Sequence, residues 1–244
     1  MKRRVILFAG SSGIGKTTLA KKLEEDLLLA GEDTKFLSGS LSDLVPETKD
    51  RSHKDMLSRD VNELATEDYK LLNLRRNLIK YNLIETPIGD GLNFISDRSF
   101  LDSAAYFIYK QSKHIPTCEV EHFLELCKQL TNTYCTHLIL LDFTPEMIKD
   151  WVVENNNKRI TNKYFQIQIS QLMKMVLDLW GVQFNRIDAL YEGFWRNKVT
   201  SFENGGALVG DLKSLYGDTR VMVVQEGKLS DREILIKAFI NGKI

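Results

Sequence analysis

The run Gly10-Ser11-Ser12-Gly13-Ile14-Gly15-Lys16-Thr17 carries the densest chemical signal in the chain, fitting G-x-x-x-x-G-K-[ST] at every fixed position. Glycines at this spacing let the backbone curl until successive N–H groups point inward, and the lysine and hydroxyl at its end add a cation and a metal ligand. Such a loop holds a polyphosphate. Lys16 is expected to reach the β- and γ-phosphates of ATP from the start of an exposed loop, and Thr17 to coordinate Mg²⁺. Gly10, Ser12, Gly13, Ile14, Gly15, Lys16, Thr17 and Thr18 are the expected nucleotide-binding residues.

The pattern gains weight from its flanks. Val5 to Ala9 is an unbroken apolar run, the mark of a strand buried on both faces of a parallel sheet. From Lys16 onward Leu19, Ala20, Leu23, Leu27 and Ala30 recur at helical spacing, and Gly31 stands where that helix should stop. The loop therefore joins a strand to a helix whose dipole adds positive charge at the phosphates. Further strands are predicted at Thr34–Leu37, Phe94–Ser96, Leu138–Asp142, Gln183–Ile187 and Val221–Val224. Helices are predicted at 66–85 with Thr66 as N-cap, after Ser99 through Ile108, at Glu119–Leu130 and at Lys163–Trp180. The alternation implies an α/β fold: a doubly wound, mainly parallel sheet with helices on both faces.

A length of 244 residues suits one such domain, and 43% hydrophobic with 27% charged residues excludes a disordered chain. Charges balance at 33 against 33, so no global field draws the protein to nucleic acid or an anionic membrane. The cysteines, Cys118, Cys127 and Cys135, match no common zinc spacing and are odd in number, which points to a reduced, cytoplasmic setting. Met1-Lys2-Arg3-Arg4 precedes an apolar run too short for a signal peptide, and no stretch approaches the ~18 apolar residues of a membrane span.

Several segments beyond the loop together resemble the thymidylate kinase pattern. Leu71-Leu72-Asn73-Leu74-Arg75-Arg76, then Gly91, then Ile95-Ser96-Asp97-Arg98-Ser99-Phe100-Leu101-Asp102-Ser103-Ala104-Ala105-Tyr106 match its leucine pair and arginine, followed by a strand ending in Asp-Arg. Leu141-Asp142-Phe143-Thr144-Pro145-Glu146 looks like the turn before the lid in thymidylate and deoxynucleoside kinases, and Lys158 and Arg159 fall where a basic lid would close over ATP. The resemblance runs over about residues 4 to 190, in order. It implies a P-loop kinase domain at 1–190, with an acceptor region at about 40–90 and a lid at about 150–163. Residues 191–244 form a C-terminal extension with no counterpart, expected to pack on the same domain. Asp43 stands where deoxynucleoside kinases place a carboxylate near the acceptor hydroxyl.

Asp97 ends a strand at the sheet edge that carries ligands in open α/β folds. It could hold a Mg²⁺-bound water, accept the acceptor's proton in competition with Asp43, or merely cap the next helix. Arg98 would neutralise phosphate charge or form a surface ion pair. Arg75 and Arg76 lie about 100° apart on a helix, so one is expected on the acceptor's phosphate and the other in solvent. His53 reads as an exposed loop histidine, and Trp151, Trp180 and Trp195 as core or rim residues.

The reading is an ATP- and Mg²⁺-dependent kinase acting on a small nucleotide or nucleoside acceptor, with a homodimer possible and no membrane partner. A second reading moves the acceptor to a hydroxymethyl pyrimidine in DNA, which requires the base to leave the stack. A third is a nucleotide-dependent switch or ATPase module acting on a protein partner.

Overall fold

The computed structural model describes residues 3–37, 92–113, 115–143, 163–187, 189–192, 198–201, 206–213, 218–225 and 229–244. The helix predicted at 66–85, the Pro-Glu turn and Asp43, His53, Arg75, Arg76, Trp151, Lys158, Arg159 and Trp195 lie outside these residues. The elements in order are β1 (Val5–Gly10), α1 (Lys16–Leu29), β2 (Thr34–Leu37), β3 (Asn93–Ser96), α2 (Phe100–Gln111), α3 (Thr117–Tyr134), β4 (His137–Leu141), α4 (Lys163–Leu179), β5 (Gln183–Ile187), β6 (Ala189–Glu192), β7 (Lys198–Ser201), β8 (Ala207–Leu212), β9 (Thr219–Val224) and α5 (Leu229–Ile240).

The sheet runs β2-β3-β1-β4-β9-β8-β5, with β6 and β7 paired as a separate hairpin. Strands β2, β3, β1, β4 and β9 are parallel, and β8 and β5 continue the sheet antiparallel. The unbroken apolar run of β1 is explained by its two covered faces. Val5, Leu7 and Ala9 share a core with Leu101 and Ala105 of α2, Phe123 and Cys127 of α3, and Ile169 and Met173 of α4. Ile6 and Phe8 point the other way, into Leu19 and Leu23 of α1 and Leu235 and Phe239 of α5. Full burial of each such side chain stabilises the fold by about 1.5–3 kcal/mol, so the doubly wound arrangement follows from the alternation along one strand.

The segment expected to be an extension is woven into this sheet. Strand β9 pairs with β4 from His137↔Arg220 to Leu141↔Val224, and β8 pairs antiparallel with β9. Strands from before and after residue 190 therefore share one sheet. Strand β8 and helix α5 lacked a clear sequence signature, since β8 contains Gly210 and only half its residues are buried. Among the described residues no helix is long and apolar enough to cross a membrane.

At the N-terminal edge of the sheet, His137 is buried edge-on against Phe239, with rings 5.4 Å apart, and its Nδ1 lies 2.9 Å from Thr136 Oγ1. The Arg220 guanidinium stacks 4.6 Å from the same Phe239 ring and donates to the Phe239 and Ile244 carbonyl oxygens. Burial, reinforced by the charges of Arg220 and Arg4, lowers the His137 pKa to about 4. In the unfolded chain the ring titrates near ~6.5, so between these values the unfolded state binds more protons and stability falls as pH drops. Full stability is expected above about pH 7, with a loss of about 2 kcal/mol by about pH 5 attributable to this ring. Denaturant midpoints across pH 5–7.5 should fall less steeply in His137→Gln, and an unchanged slope in that variant would refute the assignment.

Candidate active site

The C-terminal ends of β3, β1 and β4 form the edge at which chemistry-bearing residues gather. Strand β1 is flanked by β3 on one side and β4 on the other, so successive crossovers leave it in opposite directions and a crevice opens above it. The loop after β1 occupies that crevice. Gly10 closes the strand opposite Leu141, and positive φ values at Gly10 (145°), Gly13 (82°) and Gly15 (99°) turn the backbone back on itself.

Helix α1 then begins at Lys16, with Gly15 as an N-cap that makes no side-chain capping bond and no acidic residue in the first turn. A helix start without a cap leaves its first N–H groups and the positive end of its dipole for an anion. Lys16 is 8% exposed, which corrects the expectation of an exposed side chain. Its ammonium donates to the carbonyl oxygens of Gly10 at 2.5 Å and Ser11 at 2.8 Å, folded back over the loop it must serve. Ser11 Oγ is buried with no hydrogen-bond partner among the described residues. Inward-turning glycines, an uncapped helix start, a cation resting on backbone and an unsatisfied hydroxyl fit a bound polyphosphate.

Strand β3 pairs with β1 as far as Ser96 opposite Leu7, and Asp97, Arg98 and Ser99 follow directly beyond that last pair. The Thr17 hydroxyl donates to Asp97 Oδ2 at 2.5 Å, bringing together the two residues expected at a metal ion. Asp97 is buried, and it is not the cap of the next helix. Ser99 takes that role, its Oγ accepting the Asp102 N–H at 3.2 Å while Asp102 Oδ2 accepts the Ser99 N–H at 3.0 Å. Arg98 is half-buried, and its backbone N–H donates to Ser96 Oγ. Ser12 is half-buried, Gly13, Thr17 and Thr18 are exposed, and Ile14 is buried in the core, which leaves Ile14 only its backbone for a ligand.

Sequence reasoning gave no role to Asp102. Its Oδ1 accepts the Gly10 N–H at 3.4 Å and its Oδ2 the Ser99 hydroxyl at 2.6 Å, so one carboxylate ties the start of α2 to the start of the phosphate loop. Burial raises its pKa, against the opposing pull of Lys16, Arg98 and the Ser99 hydrogen bonds. The signal was present as Ser99 and Asp102 at capping-box spacing, although nothing in that spacing pointed to Gly10. Asp142, at the exit of β4, is held by α4 instead: Oδ1 accepts the Ser170 hydroxyl at 2.5 Å and Oδ2 the Lys174 ammonium at 3.0 Å.

A family model described as an AAA domain matches residues 5–192. The fold is similar to that of thymidylate kinase from Candida albicans, with 19% sequence identity, a TM-score of 0.51, and 72% of this chain and 79% of that chain covered. No curated protein matches in sequence. The chain thus has a P-loop nucleotide-kinase fold.

A Cβ on Gly10 would sit 2.9 Å from the Leu141 carbonyl oxygen and 3.1 Å from Ile14 Cγ2, whereas one on Gly15 would meet nothing within 4 Å. Gly15→Ala therefore carries backbone strain alone, and Gly10→Ala carries strain and a collision with backbone. Gly10→Ala is expected to destabilise the fold by about 1–3 kcal/mol and by more than Gly15→Ala, read as urea unfolding midpoints. Equal midpoints for the two variants would contradict the close packing of the loop on β4.

Proposed function

The chain belongs to the AAA-domain family, and we propose, from its P-loop and its thymidylate kinase-like fold, that it is a kinase moving the γ-phosphoryl group of ATP to a free nucleotide or nucleoside. The observation that carries the reading is the Thr17–Asp97 contact, which sets the Asp97-Arg98 end of β3 directly beside the phosphate loop. A simple ATPase needs the loop and its metal ligands; an arginine next to the metal carboxylate suits a second phosphorylated molecule.

In this proposal the backbone N–H groups of Gly13 to Thr18 and the Lys16 ammonium hold the triphosphate, and Thr17 and Asp97 hold Mg²⁺. Bound ATP·Mg²⁺ supplies the transferable phosphoryl group. Lys16 exchanges its bonds to the Gly10 and Ser11 carbonyl oxygens for phosphate oxygens, a short swing from one set of acceptors to another. Asp97 or Asp43 takes the proton of the acceptor hydroxyl, Arg98 offsets phosphate charge, and Arg75 or Arg76 holds the acceptor. Lys158 and Arg159 close over ATP and exclude water. Catalysis is then mainly positioning and charge stabilisation.

Two experiments test this. Because Lys16 is buried and bonded to the loop, Lys16→Met keeps more of its packing than Lys16→Ala. Lys16→Met is expected to lower transfer by at least about 100-fold while circular dichroism still reports a folded chain. Turnover near wild type in that folded variant would remove the loop from the mechanism. For the acceptor, γ-labelled ATP should be offered with deoxypyrimidine nucleosides, their monophosphates and an oligonucleotide containing hydroxymethyluracil, across a salt series. Label is expected in a free nucleoside or nucleotide with weak salt dependence. Label only in the oligonucleotide, with steep salt inhibition, would move the acceptor to DNA. ATP hydrolysis with no labelled acceptor would favour a switch or ATPase module.

A further inference from the structure

Helix α5 lies beyond the residues that the family model matches, yet it touches the phosphate loop. Arg232, in its first turn, is 2% exposed and donates from Nη1 to the carbonyl oxygen of Ile14 at 2.9 Å. We propose that Arg232 is a positioning residue of the phosphate loop: it holds the Ile14–Gly15 peptide with its N–H turned toward the bound phosphates. The proposal rests on the loop's binding a nucleotide.

The argument begins with the geometry of one peptide. Among the described residues no peptide bond is cis, so the Ile14 carbonyl and the Gly15 N–H point in opposite directions. Fixing the carbonyl on Arg232 fixes the N–H on the far side. Gly15, at φ 99° and ψ 10°, has few steric restraints of its own, and the hydrogen bond supplies the restraint that its missing side chain does not.

Helix α5 is well placed to be a rigid support. Glu233 accepts from Lys22 at 2.6 Å and Lys237 pairs with Asp26 at 2.7 Å, both across to α1. Leu235, Ile236, Phe239 and Ile240 share one core with Ile14, Leu19 and Leu23. An arginine held by such packing loses little further freedom on making its bond, and its fork keeps donors in fixed directions. A purely structural role fits poorly, because burying a guanidinium is costly and an apolar residue of similar volume usually stabilises as well or better. What an apolar residue cannot do is orient a carbonyl.

The test compares wild type, Arg232→Met, Arg232→Lys and Glu233→Gln in titrations with fluorescent N-methylanthraniloyl ATP and ADP, with melting curves taken on each. Arg232→Met is expected to bind both nucleotides about 10-fold more weakly, and Arg232→Lys to fall between it and wild type. Glu233→Gln, which removes one of the two α1–α5 ion pairs, an exposed one, and leaves the apolar packing of α5 in place, should bind as wild type. Amide exchange of the peptide covering Ile14 to Lys16 should be faster in Arg232→Met without nucleotide. Wild-type affinity in a folded Arg232→Met protein, or an equal loss in Glu233→Gln, overturns the proposal. If Arg232→Met does not fold, Arg232→Lys decides: a loss of about 3-fold or more supports it and no loss overturns it. Failure of wild type to bind either nucleotide would sink the nucleotide reading and this proposal together, whereas equal binding by wild type and variants removes only the arginine's role.

Discussion

A loop that presents backbone N–H groups to an anion must keep its carbonyl oxygens occupied elsewhere, and this constraint reaches into most of the structure. The carbonyl of Ile14 is taken by Arg232, and those of Gly10 and Ser11 by Lys16, which in the proposed function gives them up for phosphate oxygens. The N–H of Gly10 faces the Asp102 carboxylate. Each partner arrives on a different helix, α1, α5 and α2, so the shape of a short glycine-rich turn depends on three helices packed on two faces of one sheet. Buried backbone groups that are not paired cost on the order of 1–3 kcal/mol each, which is reason enough for the fold to supply these partners.

The parts of this arrangement that are local in sequence were legible in it. The motif from Gly10 to Thr17 sits between a double-faced apolar strand and an amphipathic helix, and both elements formed where periodicity placed them. The end of β3 at Ser96, with Asp97 next to it, was equally clear from a short apolar run and its polar exit. Other parts depend on partners distant in the chain and left no periodic trace. Arg232 lies 218 residues from Ile14. Its helix is short and mixes polar and apolar positions, because one side lies on the sheet while Glu233 and Lys237 reach across to α1. The burial of Lys16 was missed for a related reason: a lysine reads as exposed until one sees that the carbonyls of its own loop are its acceptors.

The C-terminal strands show how such distant parts come to matter. Strand β9 occupies the place beside β4 that makes β4 an interior strand, and its Val221, Met222, Val223 and Val224 are buried against both cores. Without β9, the hydrogen-bonding edge of β4 and the apolar faces on either side would be open to water. Antiparallel β8 then covers β9, which a crossover helix would otherwise have had to reach. The chain returns through β9 straight into α5. The last strand therefore serves the sheet, and also delivers the helix that carries Arg232 to the loop.

Charge at the loop is shaped by the same burial. An ionised carboxylate beside Lys16 would cancel much of the potential that a polyphosphate needs, and Asp102 is close enough to feel both Lys16 and Arg98. Desolvation is the larger influence on Asp102 and shifts it toward its neutral form, so it draws less charge from Lys16 than an exposed aspartate would. Asp97, by contrast, receives the Thr17 hydroxyl at the first turn of α1. Two aspartates five residues apart thus meet the loop in different ways: Asp102 at the backbone of Gly10, and Asp97 at the hydroxyl of Thr17.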